Sequence, residues 1–189
     1  MSQGATVITP TNRLANELIE QYLQQSKTKQ WRGQCMAYQH FLIDRYQKFC
    51  LHTQDKDIPV LITAHQWRYL IKEIIKKEYH FELNAGLIDK LENAWLRLHQ
   101  WRLDWQDPAF HMTGQSRQFQ KWMKQLEQRL QLIPALSAAE LPNFLENNGY
   151  WADLDSCIWT CFDDYTPEQL SLQNILTGHH CPQYHCQLE

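Results

Sequence analysis

The residues best suited to chemistry in this chain fall into a few groups. Cys157 and Cys161 stand four apart, and His179, His180, Cys181, His185 and Cys186 crowd the C-terminal end. Sulfur and imidazole ligands in tetrahedral sets hold zinc, usually through close cysteine pairs. Cys157 and Cys161, however, lie in an apolar run with the length of a strand, where residues four apart face the same way at about 13 Å. They cannot share an ion unless the strand bends, so buried thiols beside a polar histidine loop are the preferred reading. A second group is basic. Arg117, Lys121 and Lys124 recur at helical spacing, with Arg97 and Arg102 upstream and Trp101, Trp105 and Trp122 close by. Cations beside aromatic rings bind single-stranded nucleic acid by charge and stacking. The preferred, plainer reading is a solvated face above tryptophans that fill a core. No serine sits in a Gly-x-Ser-x-Gly elbow, and the histidines show no nucleophile–base spacing.

The elements that must position these groups are read from periodicity. Residues 5–9 (ATVIT) form a β-branched run that predicts a buried strand. Pro10-Thr11-Asn12 follows, and then Leu14, Leu18, Ile19, Tyr22 and Leu23 share a helical face, with Thr11 or Asn12 as cap. Trp31 and Gly33 mark a loop, and residues 34–37 fit a second short strand. Tyr38, Phe41, Leu42, Tyr46, Phe49 and Cys50 trace the next helix, and the polar stretch 52–59 ends at Pro59. Thr63-Ala64-His65-Gln66 is a capping box opening a helix with Trp67, Leu70, Ile71, Ile74 and Ile75 on its apolar face. Another helix carries Leu87, Ile88, Leu91, Trp95, Leu98 and Arg102 into the Trp-rich stretch 101–105, where Asp107-Pro108 breaks it. Phe119, Trp122, Met123, Leu126 and Leu130 mark a further helix, and Ser137 with Glu140 suggests another box, its helix closing near Gly149. Residues 157–162 (CIWTCF) then have the character of a buried strand. Thr166-Pro167-Glu168-Gln169 combines an N-cap, a first-turn proline and a box partner. That helix runs to a stop at Gly178, and residues 183–188 predict a last strand.

Composition bounds the rest. The chain has 189 residues, 43% hydrophobic and 21% charged, enough to bury a core. Its net charge of −3 gives no global support for nucleic-acid binding, so any such contact must be local. No apolar run approaches the length that spans a bilayer, and no basic-then-apolar leader is visible. The expectation is a cytoplasmic protein with reduced cysteines and no membrane partner. Leu188-Glu189 matches the junction left by tag cloning, which leads us to expect a longer natural chain.

Both ends of the chain resemble one family. VITPTNRLANELIEQYL near the start and IWTCFDDYTPEQLSLQNILTG near the end are similar to the N-terminal helicase-like region of AddB-type proteins, of the RecBCD/AddAB helicase–nuclease kind. More narrowly, the chain resembles bacterial DNA-repair proteins that join such a region to a C-terminal PD-(D/E)XK nuclease. ITAHQWRYLIKEII and LENAWLRLHQWRL fit the same order. The resemblance implies an α/β fold, with a RecA/P-loop-like parallel sheet core carrying a large all-helical insertion. Residues 1–60 would begin the core, 61–150 form the insertion and 151–189 return to the core.

In that family the first strand enters a phosphate loop whose glycines and lysine wrap the nucleotide. The matching turn here is Thr9-Pro10-Thr11-Asn12-Arg13, without glycine or lysine and with a proline that removes an N–H donor. Arg13 could meet a phosphate without replacing that loop. The position of the magnesium-binding acid falls on Thr160, which is no hard carboxylate ligand. Asp163 and Asp164 just beyond it read as residues favoured by a helix N-terminus. Asp107-Pro108 has the wrong order for a nuclease motif, so this segment is not expected to cut DNA; exonuclease activity would belong to the full-length protein. The resemblance therefore implies an inactivated helicase-like scaffold or DNA guide, without a cofactor in this segment. Its expected partners are DNA, through the full-length protein, and an AddA-like helicase subunit. The alternatives are a helical protein–protein interaction domain without a RecA-like sheet, and a small ATP- or metal-dependent enzyme with unorthodox motifs.

Overall fold

The computed structural model describes residues 4–25, 33–54, 57–78 and 85–186. Trp31, and residues 187–189 with the end of the last expected strand, lie outside the described residues. The chain divides into two compact units, one of Met1–Thr53 with Asn143–Glu189 and the other of Gln54–Pro142. These limits precede the divisions at 60 and 150 expected from the sequence.

The first unit is α/β. Strands β1 (Thr6–Thr9), β2 (Gln34–Ala37), β5 (Cys157–Thr160) and β6 (Gln183–Cys186) form a fully parallel sheet in the order β2-β1-β5-β6. Thr6 pairs with Gln34 on one side and Cys157 on the other, so strands from distant parts of the chain share one register. Helix α1 (Asn12–Gln25) joins β1 to β2, and α7 (Pro167–Gly178) joins β5 to β6. Side chains alternate across a sheet. Cys35, in register with Val7, turns to α1 and donates its S–H to the Ala15 carbonyl at 3.6 Å. Trp159, in register with Ile8, faces the other way and packs on Tyr38 of α2 (Tyr38–His52), with ring centroids 5.9 Å apart. Tyr38 in turn donates its hydroxyl to Glu168 of α7 at 2.9 Å. Thus α1 covers one face, while α2 and α7 cover the other. The second face is the drier one: Ile8, Phe41, Leu42, Trp159, Leu172 and Leu176 are fully buried. On α1 only Ala15 is buried, and Tyr22 of its expected apolar stripe is largely exposed.

Arg45 of α2 shares the helical face of Tyr38, Phe41 and Leu42, and its charged side chain is completely buried with them. Its guanidinium donates to Asp153 at 2.6 and 3.3 Å and to Asp44 at 2.5 and 3.0 Å, while Lys48 reaches Asp153 at 2.5 Å. A buried charge is tolerable only when paired and hydrogen-bonded. This network ties α2 to the segment that leads into β5.

The second unit is mainly helical, with α3 (Ala64–Glu78), α4 (Ala85–Gln100), α5 (Gly114–Leu132) and a two-stranded parallel ladder of β3 (Val60–Leu61) and β4 (Ala135–Leu136). Ile71, Ile75, Ile88, Met123 and Leu126 are among its most buried residues, each contributing about 1.5–3 kcal/mol by burial. The Thr63/Gln66 box is present with both reciprocal bonds, at 2.8 and 3.2 Å. At the second expected box Glu140 accepts from the Ser137 N–H at 3.0 Å, and α6 (Leu141–Asn148) follows.

One expected helix end is corrected and another is met. The fourth helix stops at Gln100 instead of carrying Arg102. Arg102 adopts φ 52 and donates its N–H to the His99 carbonyl, while Leu103 donates to Leu98. That pair of bonds is a Schellman stop, with Arg102 in the left-handed position that glycine usually fills. Helix α7 ends the same way, with His180 at φ 61 and bonds from His180 to Thr177 and from Cys181 to Leu176. Gly178, the expected stop, is the last helical residue. Thr166 and Gln169 form the reciprocal box read from the sequence, with Pro167 in the first turn.

Candidate functional site

In an open parallel sheet, ligands bind outside the carboxyl ends of the strands where the chain order reverses direction. Here that switch point lies between β1, whose connection leads to β2, and β5, whose connection leads to β6. The structure brings the sequence-derived positions to this place. Thr9 ends β1 and Thr160 ends β5, each one step beyond the registered pair Ile8 and Trp159.

The turn after β1 is closed on itself. Thr9 is fully buried and donates its hydroxyl to the Thr11 carbonyl at 2.9 Å. Thr11 caps α1, accepting from the Leu14 N–H at 3.4 Å. Pro10 contributes no N–H. Arg13 points outward, with 83% of its side chain exposed, and pairs with Glu17 at 3.8 Å. On the β5 side Thr160 is buried, its hydroxyl 3.6 Å from the Cys161 sulfur. Cys161 then leaves the strand at φ 64, so the expected strand 157–162 ends two residues early. Asp163 and Asp164 are exposed in the loop that follows. The switch point thus offers hydroxyls, a proline and an outward arginine where a nucleotide site needs wrapped N–H donors, a lysine and a carboxylate.

Aromatic rings close the loop above β5. Phe162 stacks on Tyr165 with centroids 5.2 Å apart, and the Tyr165 hydroxyl lies 2.9 Å from Nδ1 of His185. The sequence offered His185 only as part of a C-terminal histidine–cysteine cluster and did not join it to Phe162 and Tyr165, since their contact depends on the pairing of β5 with β6. Cys157 is buried within the sheet while Cys161 turns away, and the described residues contain no group of three or more metal-capable side chains.

In the second unit the basic residues of α5 line a cavity of about 500 Å³ together with Trp105, Gln106, Gln120 and Glu127. Arg117, Lys121 and Lys124 are all exposed around it. Gln120 fixes one wall by donating to the Trp105 carbonyl at 2.5 Å. Lys121 is also engaged by Glu78, which accepts from the Trp122 indole at 3.1 Å and from Gln118 at 2.9 Å. The hydrogen bond from Lys121 holds the Glu78 carboxyl below its ordinary range, against a smaller upward push from burial. The tryptophans divide accordingly: Trp105 lines the cavity, whereas Trp122 is buried in the core. Trp101, Arg97 and Arg102 do not line it. Glu78 and Gln120 escaped sequence reading; the one available signal was the helical spacing of Gln120 beside Arg117 and Lys124.

No protein-family model matches the chain, and no curated protein matches it.

Proposed function

We propose that this chain is a nucleotide-independent, helicase-like module of the AddB kind, serving a DNA-repair helicase–nuclease as scaffold and single-strand guide. On this reading the parallel sheet is a RecA-like core and the helical unit its insertion. The observation that carries the proposal is the turn from β1 to α1, which occupies the switch point yet spends its donor on itself and offers neither glycine nor lysine. Loss of the acid at Thr160 points the same way. The guide role is supported by the cavity of Arg117, Lys121, Lys124 and Trp105, a local basic surface on a chain of net charge −3. An AddA-like subunit is the partner this role implies. The parallel pairing of β1 with β5 disfavours the reading as a sheetless helical interaction domain.

Fluorescence anisotropy of a labelled single-stranded oligonucleotide, titrated with the whole chain at two salt concentrations, tests the guide role. Binding should weaken with salt at a slope of about −0.7 per phosphate contacted. The R117E/K124E variant should lose it. Absence of salt-sensitive binding would remove the guide role and leave the scaffold.

A further inference from the structure

Cys157, at the start of β5, and Cys181, in the turn before β6, are 24 residues apart in sequence, yet their sulfurs lie 3.7 Å apart. Both are buried, at 0% and 1% exposure. Their surroundings treat the two sulfurs differently. Gln183 donates its amide N–H to the Cys181 sulfur at 3.4 Å and to the Cys181 carbonyl at 2.7 Å. Either thiol can donate across this contact, and the Gln183 bond to the Cys181 sulfur favours Cys157 as the donor. The hydrogen bond from Cys157 holds the Cys181 thiol below its ordinary value, helped by Gln183 and the charge of buried Arg45 and opposed by burial. The same bond and burial push Cys157 upward. Two sulfurs in contact, one of them accepting a further N–H bond, are placed so that one can attack and the other resolve.

We propose that Cys157 and Cys181 form a redox-responsive dithiol, closing to an intramolecular disulfide on oxidation by hydrogen peroxide. The Cys181 thiolate attacks one peroxide oxygen and the O–O bond breaks. Cys181 is oxidised to a sulfenic acid, and the departing hydroxide is protonated to water. The Cys157 sulfur then attacks the Cys181 sulfur, the S–O bond breaks, and the hydroxyl leaves as a second water with the Cys157 proton. Two thiols and one peroxide thus give one disulfide and two waters. The sulfurs need only approach from 3.7 Å to the disulfide length of about 2.05 Å. The route in is short, because Cys181 is flanked by exposed His180 and Pro182 on the left-handed turn that ends α7. The product would staple the edge strand β6 to the strand beside it.

The test uses the whole chain, exposed to graded peroxide, quenched, alkylated under denaturing conditions, digested and mapped by mass spectrometry. The expected result is a peptide pair joined through Cys157 and Cys181, lacking two hydrogens, reversed by dithiothreitol, and formed while Cys35 and Cys50 remain alkylatable. In C157A, Cys181 should stop at the sulfenic acid and be captured by dimedone; circular dichroism checks that the variant folds. If it does not, the wild-type map decides alone. Persistence of alkylatable Cys157 and Cys181 after exposed Cys186 has been oxidised would overturn the proposal. So would a Cys181 disulfide to any other cysteine.

Discussion

Replacing Asp153 with alanine removes the bidentate partner of a guanidinium that has no access to water. Arg45 is 0% exposed, and Asp153 accepts two of its hydrogen bonds and one from Lys48. Leaving a buried charge without its partner costs about 3–5 kcal/mol. Asp44 remains bound to Arg45, and the Asp153 side chain is 21% exposed, so the expected loss is at the low end, about 3 kcal/mol. For a chain of this size that corresponds to a fall in melting temperature of about 6–12 °C. Substituting Arg45 by methionine as well removes the stranded charge, and R45M/D153A should recover most of the loss. Urea unfolding followed by circular dichroism and tryptophan fluorescence measures all three variants. A D153A midpoint within about 0.5 kcal/mol of the parent, or a double variant less stable than D153A, would refute the reasoning. The same network has a pH signature. Burial pushes the Asp153 carboxyl up, but the bonds and charges of Lys48 and Arg45 outweigh it and hold the group below its ordinary value. Its contribution is therefore complete above the unfolded carboxylate value of about 3.9 and is lost as pH falls through the lower folded value.

Burial lowers His99 to about 4, so it is neutral in the fold. The unfolded chain binds a proton near pH 6.5, and stability should therefore decline from about pH 6.5 to about pH 4 by up to about 3 kcal/mol; urea midpoints across that range should be flatter in H99L. T166A removes the reciprocal cap of α7 and should cost about 1 kcal/mol, read as a lower urea midpoint. G149A should cost about 1–3 kcal/mol, because a Cβ there would meet the Trp151 ring at 2.2 Å and the Leu145 carbonyl at 2.6 Å; thermal melting measures it.

What was legible in the sequence is what depends on near neighbours. The boxes at Thr63/Gln66 and Thr166/Gln169 span one helical turn, and β2 is a short run bounded by a glycine. The parallel sheet core followed from resemblance, because nothing local in residues 5–9 names strand 157–160 as its neighbour. Arg45 shows the limit: its partner Asp153 is 108 residues away, so nothing local marks the charge as one that can be buried. Arg102 and His180 hide helix ends because the left-handed residue is not glycine. β3 and β4 pair only two residues each, too few to show a period. On α5 the spacing of Arg117, Lys121 and Lys124 was visible, but the cavity they share with Trp105 required the chain to fold back after α4.

On the proposed function, the sheet keeps the place of a nucleotide site without its chemistry. Thermal melting of the whole chain against increasing magnesium–ATP and magnesium–ADP tests it most directly, since a ligand that binds only the folded state stabilises it by about 2.7 kcal/mol at a hundredfold excess over its Kd. The melting temperature should not move with nucleotide. A saturable, concentration-dependent rise that disappears when Thr9 or Arg13 is substituted would contradict it.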